Sequence, residues 1–200
     1  MAWIRSDVLS RALDAPAEPP LRPLPPEAAE LLRSLGAPPR LAAHLRAVHD
    51  VAVDLADWVK DRYPDLAVDC DAVLFGAATH DLGKTLHPEE LSGPGSAHEA
   101  AGRDLLLEHG FPPRLAKFAA NHASWDGADV TIEDLLVSTA DKVWKDKRVP
   151  DLEDRLVHAL AAATGREHWE EYLALDDLLT RLGADAAHRL AFQAAFPVNQ

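Results

Sequence analysis

The sequence predicts an all-α protein, built as a helical bundle of about seven to nine helices. Apolar residues recur at steps of three and four along most of the chain, and no segment shows the convincing apolar–polar alternation of a strand. Apolar residues make up 48% of the sequence and charged residues 26%, which is typical of a folded globular protein. A chain of 200 residues suits one domain.

The first 39 residues predict a proline-rich lead-in with one short helix. Eight of the fifteen prolines lie between Pro16 and Pro39, so residues 14–26 cannot form a continuous helix. We expect this stretch to run extended over the surface. The short helix is expected over residues 27–34, because Gly36 follows it as a stop signal.

Residues 40–148 are expected to form the core of the domain. Apolar positions from Leu41 to Val59 predict a long helix, which ends before Pro64. Thr131 and Asp134 have the residue types and spacing that cap a helix start. Further core helices are expected over residues 71–81, 96–110 and from 112, and the C-terminal residues 149–200 are expected to add helices over 151–163, 166–182 and 184–192, packed on the core.

Composition and charge exclude several classes of function. The chain has 33 acidic and 20 basic residues, and its net charge of -13 argues against binding to duplex nucleic acid. It contains no apolar run of about 18 residues, so we expect no membrane-spanning segment. The single cysteine, Cys70, and the lack of an export signal favour a cytoplasmic protein. A small anionic substrate stays compatible with this charge if a metal ion reverses its sign locally.

The segment from His80 to Lys84 carries the sharpest chemical signal. On a helix, His80 and Asp81 point about 100° apart and Lys84 lies one turn above His80, so all three side chains can converge on one point. Imidazole and carboxylate groups bind divalent transition metals, and the ammonium can meet an anion bound to the metal. The alternative is an ordinary helix C-terminus, where His and Lys interact favourably with the helix dipole.

Other candidate ligands are spread along the chain. His44 and His49 lie five positions apart and point about 140° apart on a helix, so we do not expect both to bind the same ion. His98, His122 and Asp141 follow later in the sequence. His122 also continues an apolar stripe, and Asp141 also fits an exposed helix position, so each has a purely structural alternative.

The order of a histidine, a His-Asp pair and a distant aspartate resembles the HD-domain metal-dependent phosphohydrolase superfamily. The resemblance covers about residues 40–144, and its most specific part is His80-Asp81-Leu82-Gly83-Lys84. It implies an all-helical fold and a mixed nitrogen and oxygen metal site. For the first ligand we favour His49 over His44, because its separation from His80 is closer to the family pattern. The implied metal ligands are His49, His80, Asp81 and Asp141, and the implied catalytic residues are Asp81 and Lys84.

A second stretch is similar to HD-GYP-type and related two-metal members of that superfamily. It comprises His98-Glu99-Ala100-Ala101-Gly102, then Asn121-His122 and Trp125-Asp126-Gly127. The similarity implies that His98 and His122 bind a second metal or the phosphate of the substrate. The sequence departs from the HD-GYP pattern at Asn121 and Ala123 and has no Gly-Tyr-Pro, which argues against cyclic-dinucleotide hydrolysis.

The resemblance implies a metal-dependent phosphohydrolase with one or two divalent ions per chain, drawn from Mn, Fe, Co, Zn or Mg. The metal would activate water to cleave a phosphate ester of a small substrate, such as a nucleotide. Lys84, His98 and His122 would bind that substrate. The alternative is a regulatory module that binds metal and nucleotide without turnover. A homodimer is a further expectation, because apolar residues such as Trp169 and Tyr172 suit either a core or a partner surface.

Overall fold

The computed structural model describes the backbone of residues 2–198 and the side chains of residues 7–198. The described residues form ten α-helices and two short 3-10 turns, and they include no strand, so the all-α prediction is confirmed. None of the described helices combines the length and apolar character needed to cross a lipid bilayer. The helices are α1 (Ala2–Asp14), α2 (Pro26–Ser34), α3 (Pro39–Arg62), α4 (Cys70–Thr79), α5 (Ala97–Glu108), α6 (Pro113–Asn121), α7 (Ile132–Val143), α8 (Pro150–Thr164), α9 (His168–Gly183) and α10 (Ala186–Ala194), and the 3-10 turns are Leu82–Thr85 and Pro88–Leu91.

The helix count is one above the predicted range, and α1 is the additional helix. Its segment ends just before the first proline of the lead-in, Pro16, so nothing in it breaks a helix. Leu9, Ala12 and Leu13 are buried at the helical spacing of three and four. These residues pack in one apolar cluster with residues of α2 and of the start of α3. Tertiary packing therefore stabilises this helix, although its sequence shows only a weak amphipathic pattern.

Helix α3 is the centre of the fold and is buried on most of its surface. Its first half, with Leu41 and Leu45, packs in an apolar cluster with the N-terminal helices. Its later residues, including Val51 and Leu55, pack in a second cluster with α4, α7, α8 and α9. Because α3 is covered on most sides, several of its polar residues are buried as well, including His44, Arg46 and His49.

Arg46 attaches the proline-rich segment to α3. Its guanidinium is buried and donates hydrogen bonds to the backbone carbonyls of Ala15 (2.7 Å), Leu21 (2.8 Å) and Arg22 (3.2 Å). Prolines leave carbonyls without helical partners, and a charged donor can satisfy several of them at once. The lead-in therefore follows a defined path across α3.

Two further contacts fix the helices around the core. Thr131 and Asp134 form a reciprocal capping box at the start of α7, as their spacing predicts. The buried carboxylate of Glu171 on α9 accepts hydrogen bonds from Arg62 and from the hydroxyl of Tyr63, at the end of α3. This contact ties the C-terminal helices to the central helix.

Candidate metal centre

The centre begins where α4 ends. Asp69 caps the start of this helix by accepting a hydrogen bond from the backbone N–H of Ala72. The helix then runs through the core and stops at Thr79, so that His80 and Asp81 lie at the junction with the 3-10 turn. Both side chains are almost fully buried. The motif therefore does lie at a helix C-terminus, and this helix end places the side chains of His80 and Asp81 inside the bundle.

A first group of candidate ligands combines His44 of α3, His80 and Asp141 of α7. Their ligand atoms lie within 4.8 Å of one another, and all three residues are buried. His44 Nε2 lies 3.4 Å from His80 Nε2, and Asp141 Oδ1 lies 3.5 Å from His80 Nε2 and 3.9 Å from His44 Nε2. The ring of His44 packs edge-on against Trp144, which holds it in place. We call these three residues the first cluster.

A second group combines Asp81, His98 of α5 and His122 at the end of α6. These residues are also buried, and their ligand atoms again lie within 4.8 Å of one another. Asp81 Oδ1 lies 3.1 Å from His98 Nε2 and 3.5 Å from His122 Nε2. We call these residues the second cluster. The structure thus brings together His98 and His122, as the similarity to two-metal members implies.

Asp81 links the two clusters through its two carboxylate oxygens. Oδ1 faces the second cluster, whereas Oδ2 lies 3.1 Å from His44 Nε2 and 3.6 Å from His80 Nε2 in the first. One carboxylate can bind two cations in this way, one on each oxygen. The arrangement therefore offers two neighbouring cation sites that share one ligand.

Hydrogen bonds at the far side of the imidazole rings show that the clusters suit a cation. The Nδ1–H groups of His80 and His122 donate to the backbone carbonyls of Ala77 and Ala119, each at 3.0 Å. Because a carbonyl only accepts, Nδ1 of both rings carries a hydrogen, so in the neutral form of each ring Nε2 has a lone pair that faces a carboxylate. Asp81 Oδ1 and His98 Nε2 are buried without a hydrogen-bond partner, although they lie 3.1 Å apart. A divalent ion in each cluster would satisfy these electron pairs.

Burial and neighbouring groups shift the pKa values of several side chains in the two clusters. Burial alone would raise the pKa of Asp81, but the imidazoles of His80, His44 and His98 outweigh it and hold the pKa well below its usual value. Burial, followed by the nearby His80, lowers the pKa of His122 to about 4, so this ring is neutral at pH 7. Burial lowers the pKa of His98, but Asp81 and Glu90 outweigh it and raise this pKa, so a metal ion at His98 would compete with a proton. Neutral imidazoles and ionised carboxylates are the forms that bind metals.

The structure places His44, and not His49, in the first cluster. The two residues lie on different sides of α3, as their spacing predicts, and His49 belongs to neither cluster. Burial and the charges of Arg22 and Arg46 lower the pKa of His49 to about 4, so it is a neutral histidine on the side that faces the lead-in. His44 therefore replaces His49 in the candidate ligand set.

Two lysines lie at the carboxylates of the centre. Lys84 Nζ is 2.6 Å from Asp81 Oδ2, and Lys142 Nζ is 2.6 Å from Asp141 Oδ2. The 3-10 turn brings side chains three positions apart onto the same side, so Lys84 reaches back to the carboxylate of Asp81. The convergence of His80, Asp81 and Lys84 expected from the sequence is present, and Lys142 adds a second ammonium group.

Gly83 allows the turn to approach α5 closely enough to join Asp81 with His98. A Cβ atom at this position would lie 2.0 Å from the carbonyl oxygen of His98 and 2.6 Å from the backbone nitrogen of Gly102. Because both are backbone atoms, the contact cannot be relieved by a side-chain rotation. The glycine of the motif therefore positions the second cluster.

Glu90 is a site residue that sequence analysis missed. Its side chain is buried in the 3-10 turn Pro88–Leu91, and its Oε2 lies 2.5 Å from His98 Nδ1. The same carboxylate accepts the backbone N–H groups of Ala97 (3.1 Å) and His98 (3.2 Å) at the start of α5. A carboxylate that holds the far nitrogen of a ligating histidine fixes its tautomer and orientation. The only signal in the sequence is an acidic pair near His98, which resembles an exposed loop.

The match to a family model agrees with this geometry. No curated protein and no solved structure matches the chain. A family model described as the HD domain matches residues 41–146, more than half of the chain, and this range contains both clusters, Lys84 and Glu90. The chain therefore belongs to the HD-domain family, the superfamily of metal-dependent phosphohydrolases that its His-Asp motif resembles.

Proposed function

We propose that this protein is a phosphohydrolase that uses two divalent metal ions to cleave a phosphate ester of a small, nucleotide-like substrate. The observation that carries the proposal is the position of Asp81, whose two oxygens face two separate sets of imidazoles. Bound divalent ions would supply an activated water and neutralise charge on the phosphate in the transition state.

The protein's own residues would hold the ions and orient the phosphate. His44, His80 and Asp141 would hold one ion, His98 and His122 the other, and Asp81 both. Lys84 binds Asp81 Oδ2. Once a cation occupies that oxygen, the Lys84 ammonium can donate to a phosphate oxygen instead. The chain as a whole carries a net charge of -13. The positive charge of the bound ions and of Lys84 would therefore distinguish the site from the rest of the protein.

The test is hydrolysis by the tag-free full chain with Mn²⁺ or Co²⁺. We expect release of p-nitrophenol from p-nitrophenyl phosphate or its diester, or release of phosphate from nucleoside monophosphates. His80→Ala is expected to abolish this activity. His44→Gln and His49→Gln form a matched pair on one helix, and only the former is expected to abolish it, because only His44 lies in a cluster.

The result that would contradict the proposal is a folded, metal-loaded protein that binds a nucleotide and never turns it over. That outcome would identify the protein as the regulatory module. Equal activity of wild-type and His80→Ala protein would also contradict it, since the activity would then come from elsewhere.

A further inference from the structure

Outside the candidate centre, three exposed side chains converge where α8 meets α9. Asp154 and His158 lie one turn apart on α8, and His168 is the first residue of α9. Their candidate ligand atoms lie within 4.8 Å of one another, and the side chains keep 53%, 65% and 43% of their surface exposed, respectively. None of the three belongs to either cluster of the centre, and they lie beyond the part of the chain that matches the HD family.

The spacing of these groups matches the coordination shell of a small metal ion. His168 Nε2 lies 3.1 Å from Asp154 Oδ1 and 3.2 Å from His158 Nδ1, and His158 Nδ1 lies 3.3 Å from Asp154 Oδ2. Zinc bonds to nitrogen and oxygen of about 2.0–2.1 Å place neighbouring corners of a tetrahedron about 3.3 Å apart. The two imidazole nitrogens thus lie at the spacing of neighbouring corners, and the Asp154 carboxylate places one oxygen near each of them.

Hydrogen bonds among these side chains do not pair every donor with an acceptor. His158 Nδ1 also lies 2.9 Å from the carbonyl oxygen of Asp154, which can only accept. If Nδ1 carries the hydrogen, His168 Nε2 either carries one as well, so that two donors face each other, or is bare, so that its lone pair faces the Asp154 carboxylate. If Nδ1 is bare, its lone pair faces the carbonyl oxygen. Every placement of the ring hydrogens therefore leaves two donors or two acceptors in contact. A cation at this position would attract the lone pairs of both nitrogens and of the carboxylate.

We propose that Asp154, His158 and His168 form a surface binding site for a transition-metal ion such as Zn²⁺. Two imidazoles and one carboxylate favour Zn²⁺, Ni²⁺ or Cu²⁺ over Mg²⁺ or Ca²⁺, which prefer oxygen ligands. The bound ion joins α8 to α9 across the turn at Gly165, where the backbone has the left-handed conformation that glycine favours. Because the unfolded chain does not hold the three groups together, the ion stabilises the folded state.

Zinc binding by the tag-free full chain tests this site independently of the candidate centre. We expect the His158→Ala/His168→Ala variant to bind one Zn²⁺ per chain fewer than wild-type protein in a calorimetric titration. His188→Ala, which removes another exposed histidine on α10, is the matched control and is expected to bind as wild type does. We also expect Zn²⁺ to raise the Tm of wild-type protein more than that of the double variant, and Mg²⁺ to give no such difference.

The expected difference of one ion does not depend on how many ions the candidate centre holds. A double variant that binds as much Zn²⁺ as wild type, or a loss of one ion in His188→Ala as well, would overturn the proposal. If the double variant were unfolded by circular dichroism, His158→Gln would serve instead, since it keeps a polar side chain at an exposed position. Loss of the same single ion in that variant is then the expected result, and an unchanged stoichiometry the contradicting one.

Discussion

Replacing Glu90 by glutamine tests how the second cluster is oriented. The Glu90 carboxylate accepts three hydrogens, one on Oε1 from Ala97 N–H and two on Oε2 from His98 N–H and Nδ1–H. A glutamine has one acceptor oxygen in place of two. Either its amide faces the N–H of Ala97, or it donates to His98 Nδ1 and moves the ring hydrogen to Nε2, where it blocks metal binding.

We expect Glu90→Gln to weaken the binding of one of the two ions about 10- to 100-fold, as is usual when a partner of a ligating histidine is removed. The other ion should bind as before, because His44, His80 and Asp141 make no contact with Glu90. Calorimetric titration of the tag-free protein with Mn²⁺ measures both affinities. NMR of the histidine ring nitrogens, recorded without paramagnetic metal, would report the tautomer of His98 directly.

The control is Glu89→Gln, in the same 3-10 turn. Glu89 is 70% exposed and its carboxylate lies 3.4 Å from His87 Nδ1, outside the centre, so its loss should leave both affinities unchanged. Glu90→Gln protein that binds both ions with wild-type affinity would refute the reasoning. So would a Glu89→Gln protein with the same defect, or a wild-type protein that binds a single ion.

Three further substitutions are expected to change stability. Gly83→Ala should lower the free energy of unfolding by about 1–3 kcal/mol and weaken Mn²⁺ binding, because its Cβ meets the α5 backbone. Gly127→Ala is the control, because its Cβ would make only an ordinary contact, 3.5 Å from Val130; equal effects of the two substitutions would contradict this. Arg46→Met should cost about 3 kcal/mol in urea unfolding, since three carbonyls lose a charged donor; a loss below about 1 kcal/mol would contradict it. Tyr63→Phe should cost about 1–3 kcal/mol at pH 7 by removing a donor to Glu171. Burial raises the pKa of Glu171 but hydrogen bonds lower it further, so this cost should persist above pH 5 and shrink as the pH falls through the lowered pKa; a cost that grows in acid would contradict it.

Most of the helices and part of the candidate site can be predicted from local patterns in the sequence. The His80–Lys84 motif, His98, His122 and Asp141 are all recognisable because a motif or a helical position marks each of them. The choice between His44 and His49 is different. Helix α3 is buried on nearly all sides, so no polar face distinguishes the side that meets α7 from the side that meets the lead-in.

Long-range geometry accounts for what the sequence did not show. The contact of Glu90 with His98 depends on a 3-10 turn and on Gly95, where a Cβ would lie 2.2 Å from Glu90 Oε1. A pattern of residue types does not reveal such a fold-back. The sequence does not indicate helix α1, because the prolines that follow it dominate the composition of the first 39 residues and its packing partners lie elsewhere in the chain.

The burial of α3 bears on how this protein can be shortened for experiments. A fragment of residues 41–146 would retain every candidate ligand of the HD centre. It would also lack Leu13 and Leu32, which pack in one apolar cluster with α3, and Leu156 and Leu179, which pack in the other. The apolar surface that these residues cover would then be exposed to water. Such a fragment should aggregate, so experiments on the candidate centre call for a longer chain than residues 41–146.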